Sequence, residues 1–495
     1  MVATVMNLIN IIIGFVAQRI FIQTLGTEYL GINGLFTNIL SMLGIVELGL
    51  GSAIIYHLYQ PIAEQDKEKI KSLMLFYKVG YRVIGIIIAV IGLAIIPFLQ
   101  FIVGEVTISE NIIYIYLLFL IDIVASYLLT YKRSILYADQ KTYLVNLVHI
   151  GYLLVMNAIQ LTILILTKNY IWYLWIKIGC RILENIVITI IANHKYPYIK
   201  DKEAKKINKK MRESIFTKVR GLVYHKIGTF VVLGTDNIII SSFLGVVTVG
   251  LYSNYNLIIQ ALNNLFNQVF NSITASVGNL LVEKDKEKAY QVYQNILFFN
   301  SWIYAFASTG LLCIIEPFIK IWIGSEFIIP FGVLVTLVIN FYLQGMRKTA
   351  NTFKEAAGIF YEDRLVPLWE SLINIIASII LVKLFGLMGV FMGTIVSTFV
   401  LFFNSYPKFV YQPLFNRTYK QYIKDYVPYI IATVLSVSIT HFVTSWIVIG
   451  NTILQVMTNL SLVLLIPNII HWLLFNKTEQ FNYYKAIFIK IIKRK

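Results

Sequence analysis

Two cysteines in 495 residues leave nothing from which to build a disulfide framework. Cys180 and Cys313 lie far apart inside apolar runs, without the paired spacing of a zinc site, and read as inert core thiols. Charge is scarce as well: Asp, Glu, Lys and Arg make up 14% of the chain, against 58% hydrophobic residues. That balance excludes an ordinary soluble domain and makes lipid the solvent for most of the sequence. No GxxxxGK[ST] pattern occurs, which argues against an ATP-driven pump, and no metal or cofactor motif is found. The first apolar run begins at Met1 with no basic lead and no small-residue cleavage pattern, so it reads as a retained span rather than a signal peptide.

What the chain does have is a net charge of +17, which in a soluble protein would suggest nucleic acid. Here the bases sit in short segments between long apolar runs, the pattern of membrane loops beside anionic lipid, and no nucleic-acid partner is expected. A hydrocarbon core of about 30 Å takes roughly 20 helical residues. Runs of that length fall at 3–25, 33–57, 79–103, 111–131, 143–167, 170–192, 221–244, 250–277, 293–319, 328–346, 365–385, 388–411, 428–448 and 452–475. The expected fold is therefore all-α, a polytopic membrane protein of about fourteen transmembrane helices. Basic loops alternate with loops that offer only Lys168, Lys320 or Lys383, and the chain ends in a basic tail. By the positive-inside rule both termini are cytoplasmic. The predicted external loops are short, which disfavours membrane enzymes that hold an acceptor outside the bilayer, such as sugar polymerases.

The sequence also repeats itself. Leu25, Gly26 and Gly31 recur as Leu244, Gly245 and Gly250, and the same offset of 219 (244 − 25) carries the EQDKEK loop at 64–69 onto EKDKEK at 283–288. Six spans separate the copies, so the halves point the same way, as in transporters built from parallel repeats. This predicts an N-lobe of spans 1 to 6 (1–192), a basic cytoplasmic linker (193–220), a C-lobe of spans 7 to 12 (221–411), two appended spans (412–475) and a basic cytoplasmic tail (476–495).

Span 8 carries Ser253, Asn256, Gln260, Asn263, Asn264, Asn267, Asn271 and Thr274 within roughly a 100° sector of the helix. Amides do join transmembrane helices to one another, but five asparagines on one stripe exceed that need and predict a water-lined path. Ionisable groups inside spans mark buried pairs or a pathway. They are Arg19, Glu47, Asp122 and Asp236, with Lys177, Arg181 and Glu184 on one face of span 6; the N-lobe members, three bases and three acids, can also neutralise one another. Subtracting the repeat offset puts Asp236 within about 3 Å of Arg19 in depth, which predicts an ion pair when no substrate is bound. His149 and His441 read as satisfied core residues.

Several stretches resemble Wzx-type polysaccharide repeat-unit flippases of the multidrug, oligosaccharidyl-lipid and polysaccharide exporter superfamily. They are 25–31 (LGTEYLG), 47–53 (ELGLGSA), 131–134 (YKRS) with 138–140 (ADQ), 235–238 (TDNI), 250–255 (GLYSNY) and 354–358 (KEAAG). The resemblance runs along nearly the whole chain with the motifs in order. It implies a two-lobed helical fold and movement of an undecaprenyl-diphosphate-linked oligosaccharide from the inner to the outer leaflet of a bacterial cytoplasmic membrane, for capsule or another surface polysaccharide. It also implies that basic side chains in a central cavity hold the diphosphate, and Arg19 matches the first-span arginine. Such proteins usually begin further upstream with a short basic segment, so a late start or a trimmed sequence is the expectation here. Substrate contacts are thus expected from Arg19, Lys177, Arg181, Asn256, Gln260, Asn263, Asn267 and Asn271, and coupling or gating from Glu47, Asp122, Glu184 and Asp236. Partners would be the lipid-linked substrate, membrane lipid, and a polysaccharide polymerase and glycosyltransferases. The rival readings are a cation-coupled drug exporter of the same superfamily and a membrane polymerase.

Overall fold

The computed structural model describes residues 2–47, 50–200, 207, 211–213, 215, 234–283, 285–359 and 362–493, and among them it is helical with no strand. The linker expected at 193–220 and the first half of the span expected at 221–244 fall largely outside the described residues. By clustering of contacts the chain forms two compact units, Met1–Ser253 and Asn254–Lys495.

The first unit contains α1 (Val2–Leu25), α2 (Thr27–Leu43), α3 (Leu50–Ala63), α4 (Lys67–Ile95), α5 (Leu99–Val103), α6 (Ile112–Leu128), α7 (Tyr131–Ala138), α8 (Thr142–Thr167) and α9 (Tyr170–Lys195). Then come α10, described over 234–244, and the first turns of α11 (Val246–Val282). The second unit holds the rest of α11, then α12 (Lys286–Trp322), α13 (Phe331–Ala356), α14 (Val366–Phe385) and α15 (Leu387–Val400). Two π-helical stretches lead α15 into α16 (Gln412–Phe415), followed by α17 (Tyr419–Trp446), α18 (Thr452–Phe475) and α19 (Glu479–Lys493).

Seven helices among the described residues are long and apolar enough to cross a membrane, and the pair α6 and α7, bent by 45°, makes an eighth if counted as one span. The protein is a multi-pass membrane protein. Helices α9, α11 and α13 also have the length to cross, but ionisable residues and amides lower their apolar character. Two runs differ from expectation. The run at 33–57 is divided between α2 and α3, and within the tail the stretch Glu479–Lys493 folds as α19, whose apolar residues gather on one side.

The repeat read from the sequence has a local structural counterpart. Gly26 turns α1 into α2 at φ +92°, and Gly245 opens α11 at φ +85°. Asp66 caps α4 through the Lys69 amide, and Asp285 caps α12 through the amides of Glu287 and Lys288. Each pair is 219 residues apart. Within the first unit the repeated glycines also meet. A Cβ on Gly31 would lie 1.9 Å from the Val246 carbonyl oxygen, and one on Gly250 would lie 2.3 Å from that of Thr27. Here α2 and the start of α11 touch backbone to backbone, which only hydrogen side chains permit.

In the second unit α12 is the central mast. Asn300 donates to the Gly345 carbonyl on α13 at 3.0 Å, and Asn459 on α18 donates to the Cys313 carbonyl at 2.7 Å. At one end of α12 the Asp425 carboxylate of α17 accepts from Gln294 (2.6 Å), Tyr290 (2.7 Å), Gln421 (2.8 Å) and Tyr411 (3.1 Å). Tyr290 and Gln294, both on α12, thus hold α17 to the mast, while Tyr411 adds a tie from the π-helical stretch and Gln421 a bond within α17.

The glycine contact gives a direct stability test. Gly31→Ala and Gly250→Ala each lower the melting temperature of the detergent-purified protein by several degrees, since the backbones must separate or clash, a cost of about 1–3 kcal/mol. Gly151→Ala on α8, where an added Cβ meets nothing within 4 Å, leaves it unchanged or raises it.

Candidate functional site

The span-6 face lies within a connected charge network in the first unit. Lys177 and Arg181, one helical turn apart on α9, both approach Asp122 on α6, at 3.4 and 3.7 Å. Arg181 also reaches Glu184 at 3.3 Å, its guanidinium lying 5.0 Å from the centre of the Tyr152 ring. The Glu184 side chain is fully buried, and it takes two further partners, Arg133 of α7 at 3.0 Å and His149 of α8 at 2.8 Å. Arg133 bonds Asn185 as well, at 3.0 Å. Four of the expected site residues, Asp122, Lys177, Arg181 and Glu184, are therefore brought together.

The composition of this network differs from the balanced set expected. Arg133 and His149 join it, while Arg19, Glu47 and Asp236 stand elsewhere. Counting the lysine and arginines alone, three bases meet two acids, and the excess positive charge lies where Lys177 and Arg181 keep about a fifth to a quarter of their side chains accessible. An incompletely neutralised, partly open group of cations attracts anions.

Arg19 is exposed on α1 and forms no ion pair with a described residue. The pairing expected with Asp236 is not made: both residues are described, yet no ion pair joins them, and one Asp236 carboxylate oxygen is buried without a hydrogen-bond partner. Matching depth on two helices does not set which way each side faces. Glu47 closes a short 3₁₀ turn after α2 and accepts from the Tyr81 hydroxyl of α4 at 2.9 Å, so a neutral phenol answers it.

On α11, Phe270 and Val277 are buried, and Phe266 packs edge-on against Tyr304 with ring centres 5.0 Å apart. Gln260, Asn264 and Asn271 are exposed, and Asn256, Asn263 and Asn267 are half-buried. Gln260 makes one long bond to Asn256, at 3.4 Å. Asn263, Asn264, Asn267 and Asn271 form no hydrogen bond with another described residue, so their donors and acceptors are open. Ser253 and Thr274 bond back to the helix itself, at 2.8 and 3.1 Å.

Several polar groups outside the expected site are ties between helices. Arg347 of α13 makes a two-pronged contact with Glu370 of α14, at 2.7 and 3.3 Å, and bonds the Tyr406 hydroxyl at 3.0 Å. Lys354 pairs with the buried Asp363, which also accepts from Ser405 at 3.1 Å. The π-helical turn around 401–405 delivers Ser405 and Tyr406 to these partners. In the loop after α7, burial opposes ionisation of Asp139, but hydrogen bonds from Lys141 and Tyr196 hold its carboxyl below the usual range. Arg133 and Lys354 belong to the quoted YKRS and KEAAG stretches, and that membership was the available signal. The two cysteines are free and buried, as expected.

No family model matches the sequence, and no curated protein matches it at a significant level. Solved structures do share the fold. The lipid II flippase MurJ in an inward closed conformation aligns with a TM-score of 0.67 at 16% identity, covering 96% of this chain and 98% of that one. An inward-facing multidrug resistance MATE transporter of the multidrug, oligosaccharidyl-lipid and polysaccharide superfamily aligns at 0.63 and 15% identity, over 78% and 90% of the two chains. A MATE transporter in a bent conformation aligns at 0.51 and 14% identity, over 80% and 90%.

The network makes a graded prediction. Glu184→Ala strands Arg133, leaves Arg181 with Asp122 alone, and cuts the yield of folded protein in the membrane sharply, a loss of about 3 kcal/mol or more. Arg181→Ala leaves Glu184 with Arg133 and His149, and Asp122 with Lys177, so fluorescence-detected size exclusion shows near-normal folded protein.

Proposed function

We propose that this protein carries an undecaprenyl-diphosphate-linked oligosaccharide repeat unit from the inner to the outer leaflet of a bacterial cytoplasmic membrane, for capsule or another surface polysaccharide. It works by alternating access of the lobes 1–192 and 221–411, with both termini cytoplasmic and no covalent step. The observation that carries this reading is the open amide stripe of α11. Four asparagine side chains without a hydrogen-bond partner among the described residues are ill-suited to hydrocarbon, where each unmet amide costs several kcal/mol, so we take their face to be wet. Amides supply both donors and acceptors to a hydroxyl-rich sugar. The net-positive network of Lys177 and Arg181, and the guanidinium of Arg19, which forms no ion pair among the described residues, supply cations for a diphosphate. The shared fold with a lipid II flippase supports a lipid-linked cargo. Glu47, Asp122, Glu184 and Asp236 are the carboxylates through which substrate or ion binding is relayed to lobe movement.

Two measurements test the reading. Cysteines placed at Asn263, Asn267 and Asn271 react with a membrane-impermeant thiol reagent in intact vesicles, and one at the buried Val277 does not; equal labelling of both sets removes the wet path. Deleting the gene in its own bacterium leaves single lipid-linked repeat units on the inner leaflet, and Arg19→Ala at normal protein level leaves them there too. Continued export of single units would instead identify a polymerase, and unchanged intermediates with new drug sensitivity an exporter.

A further inference from the structure

Helix α19 adds a second, separate feature. Its apolar side folds against the start of the α12 span: Phe481 stacks on Trp302 with ring centres 6.3 Å apart, and Tyr484 on Phe299 at 5.5 Å. The Tyr484 hydroxyl donates to the Asn295 carbonyl at 3.2 Å. The helix does not close against α18. Between α12, α18 and α19 runs a groove of about 670 Å³, with Phe306 and Leu464 on its walls and Phe488 at its edge, the last still 65% exposed. Its polar contents are a bond from the Trp302 indole to Asn468 at 2.8 Å, and Lys485.

We infer that this groove is a binding site for one anionic diacyl phospholipid of the cytoplasmic leaflet, an acyl chain lying along Trp302 and Phe306 and the phosphate meeting Lys485. Depth supports the acyl chain. Trp302 lies nine residues past the start of its predicted span at 293, about 14 Å along the helix, within the hydrocarbon of one leaflet. Charge supports the headgroup: residues 477–495 hold six bases, Lys477, Lys485, Lys490, Lys493, Arg494 and Lys495, against the single acid Glu479. An amphipathic basic helix lying at the inner surface recruits anionic lipid, at about 1 kcal/mol per lysine. A second copy of the chain would bring an equally basic rim against this one. The inference uses the inside-positive orientation proposed above but not the identity of the cargo, so it stands or falls separately from the transport reading.

The test is tryptophan quenching in vesicles whose lipids carry bromine on the acyl chains. The emission of Trp302, taken as wild type minus Trp302→Phe, is quenched more by brominated phosphatidylglycerol than by brominated phosphatidylcholine, and Lys485→Glu abolishes that preference. Native mass spectrometry of the wild-type chain and Lys485→Glu gives a second measurement independent of any change at Trp302. Through stepwise delipidation the wild type retains a bound phosphatidylglycerol that the variant loses with about fivefold weaker affinity, the factor corresponding to 1 kcal/mol. Trp302 left unquenched by either lipid overturns the site, because the groove is then filled by protein. Equal retention of phosphatidylglycerol by wild type and Lys485→Glu overturns it as well, leaving only the lipid that surrounds any membrane protein.

Discussion

A carboxylate taken out of water inside a membrane protein must be met by cations or by several donors, and Glu184 is met by three side chains from three helices. That requirement organises the first unit around it. The bend between α6 and α7 brings Arg133 back into the bundle, where it reaches α9, and His149 ties α8 to the same oxygen. Once Glu184 is committed in this way, the remaining charge of Arg181 is shared with Asp122, and Lys177 is left with only part of one carboxylate. The accessible positive charge is thus what remains after a structural need is met, and it sits on the side of the network that stays open.

The second unit meets the same constraint differently. Arg347 and Glu370 form a two-pronged pair, and Lys354 is matched to Asp363. Asp425 has no cation and relies on two tyrosines and two glutamines. Each of these carboxylates is answered by at least one side chain from a neighbouring element. The α11 amides differ, since Asn263, Asn264, Asn267 and Asn271 form no hydrogen bond with another described residue. A membrane protein keeps unanswered amides only where water or a ligand answers them.

Much of this was legible in the sequence because lipid imposes simple rules. Length and hydropathy pointed to an all-helical membrane protein, and the 219-residue offset found two glycine turns and two aspartate caps that recur in the structure. Helical spacing put Lys177, Arg181 and Glu184 on one face, as they are. What spacing could not supply was direction between helices. Arg133 follows the last apolar residue of the run at 111–131, where hydropathy alone indicates a loop, and nothing local reveals the bend that turns it inward. Arg19 and Asp236 were matched in depth, but rotation about the helix axis is set by packing that one chain of letters does not encode. The Lys354 to Asp363 tie needed the π-helical turn near Ser405, a feature without a sequence signature of its own.

Cargo recognition by the open amides is the claim on which the rest of the functional account turns, and reconstitution reaches it directly. Vesicles holding the purified protein and a fluorescent undecaprenyl-diphosphate-linked oligosaccharide on one leaflet report its arrival on the other through loss of label to an impermeant quencher. The wild-type protein moves the lipid, and Asn263→Leu combined with Asn267→Leu, at equal reconstituted amount, slows it about tenfold or more, a barrier increase of about 1.4 kcal/mol. Transport at the wild-type rate by the doubly substituted protein would contradict the account.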